Sequence, residues 1–247
     1  ELQDFPASLL NTYPAYEEVL EALSRYTTMS VENIFVTNGS EQAIDIVIRA
    51  LFHTGDTVIV PSPSFFPFYH FLALEGVHVA PLSYSRAQQG EWVFPFEETL
   101  RRLPEAQGLV LVHPNNPLGV ALSPDQIQEL IAQAQREHVY VIVDEAYFEF
   151  YGTRVQHLLE NHSNVAILRT FSKYFGLSGL RLGYMLASKE LILQFHRFRA
   201  PWNVNAFAAF AATRCLQQLP FFESVKNEIV QARSEEHTSE LQSPCNL

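Results

Sequence analysis

Cysteine is scarce in this sequence. There are two, Cys215 and Cys245, among 247 residues, and their spacing forms no pairing pattern. So few thiols offer neither a disulfide framework nor a zinc site, and they are typical of a reducing compartment, so we expect a cytoplasmic protein. The nine histidines show no HExxH or similar ligand spacing, which predicts no metal site.

Long apolar runs and positive charge are also lacking. No stretch is long and apolar enough to span a bilayer, and we expect no secretory or transit segment at the N-terminus. Sixteen Lys and Arg residues against 27 Asp and Glu give a formal net charge of −11. An acidic chain is a poor binder of nucleic acid and of anionic membranes. A phosphorylated small molecule would therefore depend on a few local cations.

Short β-branched runs alternate with longer helical patterns along most of the chain. This alternation predicts an α/β fold, a three-layer α/β/α arrangement with a mostly parallel seven-stranded sheet. The expected strands are 34–37, 57–60, 78–82, 109–112, 140–143, 165–169 and 182–187. The expected helices are 15–25, 41–52, 66–74, 96–102, 124–137 and 189–198. The link between the last two strands is too short for a crossover helix, which predicts an antiparallel last strand.

The domain organisation follows from where these patterns begin and stop. Residues 1–30 are expected to be an incomplete lead-in to a large domain of residues 31–200. Residues 201–232 are expected to begin a C-terminal small domain that is truncated. Residues 233–243 read RSEEHTSELQS, which looks like a translated sequencing adapter, so we expect residues 233–247 to be non-native. The alternative is a solvated polar tail.

Polar and titratable residues follow the predicted strands. They lie in the segments NGSE (38–41), PSPSF (61–65), HPNNPLG (113–119), DEAY (144–147) and TFSK (170–173), and a glycine-rich loop then leads to Arg181. In open α/β sheets, ligands bind beyond the carboxyl ends of the strands. We therefore expect a binding site where these segments meet.

One lysine is placed unlike the others. The chain has three, and Lys189 and Lys226 lie on polar helix faces, whereas Lys173 lies in a loop rich in glycine and aromatic residues. An amine kept from solvent in such a loop would attack carbonyl groups and form a Schiff base. The alternative is a loop lysine that extends into solvent.

Two charged residues suggest what this site would bind. Arg181, with nearby hydroxyl groups and the N-terminus of the helix that begins near Ser40, would hold a phosphate. Asp144 follows a buried strand and needs a cationic partner, for which a protonated pyridine nitrogen would serve. The alternative for Asp144 is a cap of the following turn.

Five segments together resemble the fold-type I pyridoxal-phosphate (PLP) aminotransferases of class I/II. They are NTYPAY, NGSEQAIDIVIRA, HPNNPLG, VDEAYFEF and SKYFGLSGLRLGY, which occur in the family's order over about residues 11–212. The histidinol-phosphate aminotransferases are the most similar members, and the threonine-phosphate decarboxylases come next. The resemblance implies a PLP-dependent transferase-like large domain, pyridoxal 5'-phosphate as cofactor and transamination as the reaction.

The resemblance also implies roles for residues around the cofactor ring. Lys173 would be the Schiff-base lysine and would carry the proton to and from the substrate α-carbon. Asp144 would pair with the ring nitrogen, and Asn116 and Tyr147 would hydrogen-bond the ring's 3-oxygen. Phe65 lies where the family stacks an aromatic side chain on the ring.

A second set of residues is implied around the cofactor phosphate. The cofactor-binding residues in this set are Gly39, Ser40, Glu41, Thr170, Ser172 and Arg181. Tyr13 matches the tyrosine of the family's Arg-Tyr-Pro motif, which reaches the phosphate in the neighbouring subunit and implies a homodimer with shared sites. Thr12 replaces the arginine of that motif, so this match is looser.

The substrate stays open between alternatives. The first expectation is an amino donor such as histidinol phosphate with 2-oxoglutarate as the 2-oxo acid acceptor, in histidine biosynthesis. The second is decarboxylation of threonine phosphate, towards which Trp202 points, whereas Asn203 points to the first. A third is a truncated PLP-binding fragment without activity, because the family's substrate-selecting segments are expected before residue 1 and beyond residue 232.

Overall fold

A twisted sheet of seven strands forms the middle layer of the fold. The computed structural model describes the backbone of residues 4–241 and the side chains of residues 4–233. Its strands are β1 (Ile34–Thr37), β2 (Thr57–Ser62), β3 (His78–Ser83), β4 (Ser85–Arg86), β5 (Trp92–Val93), β6 (Gly108–Val112), β7 (Tyr140–Asp144), β8 (Val165–Thr170) and β9 (Gly183–Ala187). The sheet order is β3-β2-β6-β7-β8-β9-β1, and β4 pairs with β5 in a separate hairpin.

Strand β9 alone runs against the others in this sheet. The pairs from β3 to β8 are parallel, whereas β9 is antiparallel to both β8 and β1. Residues 171–182 connect β8 to β9 without a crossover helix, which a parallel connection would need. The prediction of an antiparallel last strand is confirmed.

Helices cover both faces of the sheet. They are α1 (Glu17–Thr27), α2 (Gly39–Leu51), α3 (Phe66–Leu74), α4 (Phe96–Arg102), α5 (Pro124–Arg136), α6 (Phe148–Tyr151), α7 (Lys189–Phe195), α8 (Ala206–Leu216) and α9 (Leu219–Leu241). Alternate residues of β7 enter different cores: Val141 and Val143 pack with α1, α5 and α8, whereas Ile142 packs with α2, α3 and α7. Every residue of β6, β8 and β9 is buried, as expected for strands covered on both sides. The three-layer α/β/α prediction is confirmed.

Local sequence signals explain where the predicted elements begin. The seven strands lie within two residues of their predicted limits. Helix α5 begins at a capping box, in which the Ser123 hydroxyl accepts from the Gln126 N–H and the Gln126 side chain accepts from the Ser123 N–H.

Within residues 4–241 no helix is both long and apolar enough to cross a bilayer.

The shortest strands and the limits of the last helices were not predicted from the sequence. The β4–β5 hairpin has two residues in each strand, and its Arg86 guanidinium lies 4.0 Å from the ring centroid of Trp92. Strands this short carry no readable alternation. Helix α9 continues to Leu241, past the expected boundary at residue 233. Residues 242–247 of the expected non-native segment lie outside the described residues.

Candidate active site

A cleft lies at the carboxyl ends of the parallel strands. It is lined by Ser40, Glu41, Phe65, Val112, Asn116, Asp144, Ala146, Tyr147, Thr170, Ser172, Lys173, Ser178 and Arg181. The structure thus brings together every site residue expected from the sequence except Gly39 and Tyr13. Among the described residues, no group of three His, Cys, Asp or Glu side chains could hold a metal ion.

Strand ends place these side chains side by side. Asp144 ends β7 and Thr170 ends β8, two neighbouring parallel strands. Arg181 reaches the same edge from the other direction, because it lies just before the amino end of the antiparallel β9. Ser40 lies in the first turn of α2, directly after β1. The antiparallel strand β9 therefore places the Arg181 cation at the same sheet edge as the ends of β7 and β8.

Asp144 forms the floor of the cleft. Its side chain is 2% exposed, and its Oδ1 accepts a hydrogen bond of 3.0 Å from the Ala146 N–H. Burial raises the pKa of Asp144 to about 7, while the Ala146 N–H and the Lys173 charge act in the opposite direction. A cation placed over this carboxylate would favour its charged form.

Lys173 stands at the open side of the cleft. It lies in a turn that also holds two buried aromatic rings, Phe171 and Phe175, which stack with centroids 4.7 Å apart. Its own side chain is exposed, with Nζ 5.4 Å from the ring centroid of Tyr147. The expectation of an amine kept from solvent is therefore wrong for this chain, because the Lys173 side chain is exposed.

Arg181 and the start of α2 form a cationic pocket. Arg181 has a φ of 55°, and its Nη2 lies 3.1 Å from Oε2 of Glu41. Gly39, the first residue of α2, is buried with a φ of 76° and lies against the Arg181 guanidinium. The Thr170 hydroxyl accepts from the Ser172 N–H at 3.1 Å. A helix N-terminus, a guanidinium and hydroxyl groups are groups that hold phosphate.

The two asparagines of HPNNPLG have different surroundings. Asn115 is 4% exposed and holds the loop in place, donating to the Pro63 carbonyl at 3.3 Å and accepting from the Leu118 N–H at 3.0 Å. Asn116 faces the cleft instead. No role for Asn115 or Ser178 was expected from the sequence, and Ser178 has no signal beyond its place in the glycine-rich loop.

Tyr13 lies outside the cleft. It is 73% exposed and stacks on Trp202, with ring centroids 4.0 Å apart and an interplanar angle of 21°. Trp202 is itself half exposed and has a φ of 52°. Within one chain the structure therefore keeps Tyr13 apart from the other site residues.

The cleft fits the cofactor that the resemblance implies. A buried carboxylate suits a ring nitrogen, Phe65 provides a flat apolar wall, and the pocket around Arg181 suits a phosphate. Lys173 supplies an amine at the same opening. These residues could together hold a phosphorylated aromatic aldehyde such as pyridoxal phosphate.

Comparisons with known proteins agree on the family and the fold. The family model described as aminotransferase class I and II matches residues 6–246. The histidinol-phosphate aminotransferase of Caldanaerobacter subterraneus subsp. tengcongensis is 34% identical over 226 residues, which cover 91% of this chain and 63% of that protein. The chain thus spans about three fifths of the length of the curated relatives it matches.

Two solved structures show the same fold at lower identity. The histidinol-phosphate aminotransferase of Sinorhizobium meliloti, solved in complex with pyridoxal-5'-phosphate, has a TM-score of 0.82 and 24% identity, covering 90% of this chain and 60% of that one. The L-threonine-O-3-phosphate decarboxylase of Porphyromonas gingivalis has a TM-score of 0.73 and 24% identity, covering 87% and 66%.

Proposed function

The chain belongs to the class I and II aminotransferases, and from this membership we propose that it carries the cofactor site of a PLP-dependent aminotransferase of the histidinol-phosphate type. The observation that carries the proposal is that Lys173, Asp144 and Arg181 line the same cleft. The activity, substrates and partners of the whole protein are part of the proposal, because the chain is shorter than its relatives.

The side chains of the cleft have distinct proposed roles. Pyridoxal phosphate, when bound, supplies an electron-withdrawing ring that stabilises negative charge on the substrate α-carbon. Lys173 holds the cofactor through Nζ and moves the proton at the substrate α-carbon. Asp144 keeps a proton on the ring nitrogen by its charge, and Asn116 and Tyr147 hold the ring's 3-oxygen. Phe65 fixes the ring plane and excludes water from one face.

The phosphate roles involve a competition for one cation. Ser40, Thr170, Ser172 and Arg181 are proposed to hold the cofactor phosphate, with Gly39 allowing their close approach. Glu41 now accepts from Arg181, so the phosphate has to share that guanidinium with Glu41 or displace it. This exposed ion pair is worth at most about 1 kcal/mol, so a charge-assisted phosphate contact can replace it.

The experiment that tests the cofactor role is borohydride reduction of the folded chain after incubation with PLP, followed by peptide mass mapping. We expect a pyridoxyl mass on Lys173, and Lys173→Ala should abolish it. Lys189→Ala is the matched control and should leave the adduct unchanged, because Lys189 pairs with Glu32 on the surface. A folded chain with adduct only on Lys189 or Lys226 would refute the assignment.

The substrate is proposed as histidinol phosphate with 2-oxoglutarate as acceptor. The 34% identity to a histidinol-phosphate aminotransferase supports this choice. Decarboxylation of threonine phosphate is the second candidate, and Trp202 is the residue that favours it. Both substrates should be given to this chain and to a chain extended to the length of its curated relatives. Glutamate formation supports the first candidate, carbon dioxide release supports the second, and activity in neither chain favours a PLP-binding fragment.

A cytoplasmic homodimer and the domain limits complete the proposal. The exposed Tyr13 supports a dimer in which it reaches the partner's cofactor, and the low cysteine content supports a cytoplasmic location. We retain residues 31–200 as the PLP-binding large domain, residues 201–232 as the start of the small domain and residues 233–247 as a non-native segment. Sequencing the gene again from genomic DNA tests the last point, and an unchanged reading frame through residue 247 would refute it.

A further inference from the structure

A buried ion pair lies directly behind the floor of the cleft. Arg169 of β8 and Glu145, the residue after β7, are 1% and 0% exposed, and Nη2 of Arg169 lies 2.7 Å from Oε2 of Glu145. Nε of Arg169 donates to the same oxygen at 2.8 Å. Each residue is the chain neighbour of a cleft residue, because Glu145 follows Asp144 and Arg169 precedes Thr170.

The pair fixes the turn that carries Asp144. The Glu145 N–H donates to the Leu168 carbonyl at 2.8 Å, and Oε1 of Glu145 accepts from the Val155 N–H at 3.0 Å. Arg169 also donates to Gln156 at 2.5 Å, and Gln156 donates to the Thr27 carbonyl at the end of α1 at 2.6 Å. Hydrogen bonds of Glu145 to the Leu168 carbonyl, the Val155 N–H and the Arg169 guanidinium therefore hold the turn at residues 144–147.

Stability alone is a weak reason for this arrangement. Moving two charges out of water is costly, and well-packed apolar residues of similar volume commonly stabilise a core as well or better. The Arg169 guanidinium already lies 4.1 Å from the Phe148 ring centroid, and its Nη1 is buried without a hydrogen-bond partner. A side chain with an unmet donor in an apolar setting indicates a role other than packing.

The charges around Asp144 suggest that role. The Glu145 carboxylate, which follows Asp144 in the chain, by itself disfavours the charged form of Asp144, while Lys173 favours it. Around the pair, Arg169 faces Glu145, Tyr184 and Glu149, and Arg154 lies farther out near Tyr26. Burial raises the pKa of Glu149 to about 8, so at neutral pH its charge is largely suppressed.

We infer that Arg169 is a positioning residue of the proposed cofactor site: through Glu145 it fixes the turn that carries Asp144, and it cancels the Glu145 charge so that Asp144 alone presents negative charge to the cofactor ring. This inference rests on the proposed function for its purpose. The two physical effects of Arg169 on Asp144 exist in the cofactor-free chain, where they can be measured separately.

The test is the titration of the Asp144 carboxyl group by carbon-13 NMR in the cofactor-free chain, with Asp144→Asn identifying the signal. Glu145→Gln leaves Arg169 charged and unpaired, since a guanidinium cannot lose its proton, so we expect the pKa of Asp144 to fall by about one unit. Arg169→Met leaves Glu145 uncompensated and should raise the pKa of Asp144. The double variant should return it to within a few tenths of the wild-type value.

A second readout uses the bound cofactor. The absorbance of the bound cofactor changes with pH. The midpoint of this change should fall by about one pH unit in Glu145→Gln and return to the wild-type value in the double variant. Arg169→Lys keeps the charge but loses the paired contact of Nε and Nη2 with Glu145. It should therefore preserve the midpoint while weakening PLP binding. It also serves if Arg169→Met fails to fold.

The control variant is Asn164→Ala. Asn164 is buried at the opposite end of the same strands and donates to the Val139 carbonyl at 2.8 Å. It should lower stability and leave both titrations unchanged. The inference is overturned if folded Glu145→Gln titrates like wild type. Absence of cofactor absorbance in every folded variant refutes the proposed function instead, and the NMR titration still decides the effect on Asp144.

Discussion

Gly39 and Arg181 lie so close together that a Cβ on Gly39 would come within 2.7 Å of Nη2 of Arg181. Gly39 also has a φ of 76°, a conformation in which any L side chain is strained. Two separate constraints therefore exclude a side chain where the phosphate is proposed to bind.

Gly39→Ala should displace the Arg181 guanidinium. We expect a loss of stability of about 1–2 kcal/mol and at least about a tenfold loss of PLP affinity, because one charge-assisted phosphate contact is misplaced. Urea unfolding and a PLP titration measure the two effects. Gly55→Ala is the matched control, since Gly55 has a φ of 93° but no atom within 4 Å of the added Cβ. Equal PLP affinity in both variants would contradict the phosphate assignment.

The raised pKa of Asp144 predicts a pH-dependent stability. In the cofactor-free chain this pKa is about 7, above the value near 4 of an unfolded aspartate, so the folded state holds the proton more tightly. The stabilising contribution of Asp144 is therefore complete below about pH 4 and is lost as the pH rises towards 7. Glu149, with its pKa raised by burial to about 8, extends the same trend to higher pH.

Asp144→Asn should remove this contribution. We expect the variant to be more stable than wild type at pH 8 by about 2 kcal/mol without cofactor, since no buried charge forms, and to lose PLP-dependent activity. Urea unfolding at pH 5 and pH 8 measures the difference. Asp125→Asn, at an exposed position in α5, should follow the wild-type pH dependence. Parallel pH dependence in wild type and Asp144→Asn would contradict the prediction.

Asn115 and Asn116 should separate stability from binding. Asn115→Ala removes two hydrogen bonds from a buried loop and leaves the Leu118 N–H unpaired, so we expect a loss of about 1–3 kcal/mol. Asn116→Ala should change stability little and weaken PLP binding, because its side chain faces the cleft. Thermal unfolding and PLP titration of both variants test this, and exchanged phenotypes would refute the assignment of roles.

The proposed homodimer with shared active sites predicts complementation between chains. In a homodimer, Tyr13→Ala and Lys173→Ala each damage both sites when alone. Mixed dimers combine an intact Lys173 with an intact Tyr13 from the other chain, so about a quarter of wild-type PLP sites should return after unfolding and refolding the mixture. No PLP sites should return when Lys173→Ala alone is unfolded and refolded. Absence of restoration in mixed dimers identified by mass would refute the shared site.

Strand ends and their chemistry could be predicted from the sequence. The apolar runs that become β6, β7 and β8 have no competing helical pattern, and the polar residues that follow them mark the edge of the sheet. Because parallel strands bring those ends together, Asp144 and Thr170 could be assigned to one site before any contact was known. Arg181 joins them because the predicted antiparallel strand begins at the same edge.

Long-range pairing could not be predicted in the same way. No sequence pattern shows which of Asn115 and Asn116 is buried, and the contact of Asn115 with Pro63, 52 residues away, is seen only in the folded chain. The pairing of Glu145 with Arg169 depends on how β7 and β8 align, which periodicity does not fix. Tyr13 could be matched to a motif, but its stacking on Trp202 joins residues 189 positions apart in the sequence.

The position of β1 in the sheet has a consequence for how the protein is made. In the seven-stranded sheet β1 pairs only with β9, and Ile34 faces Leu186 across that ladder. On the ribosome, β1 emerges early and waits for a partner until roughly 150 residues have followed, and such distant pairings form slowly. Ser40 and Arg181 come together only with this last pairing. A nascent chain therefore has no complete phosphate pocket until its final strand is in place, so unfinished chains should not capture the cofactor.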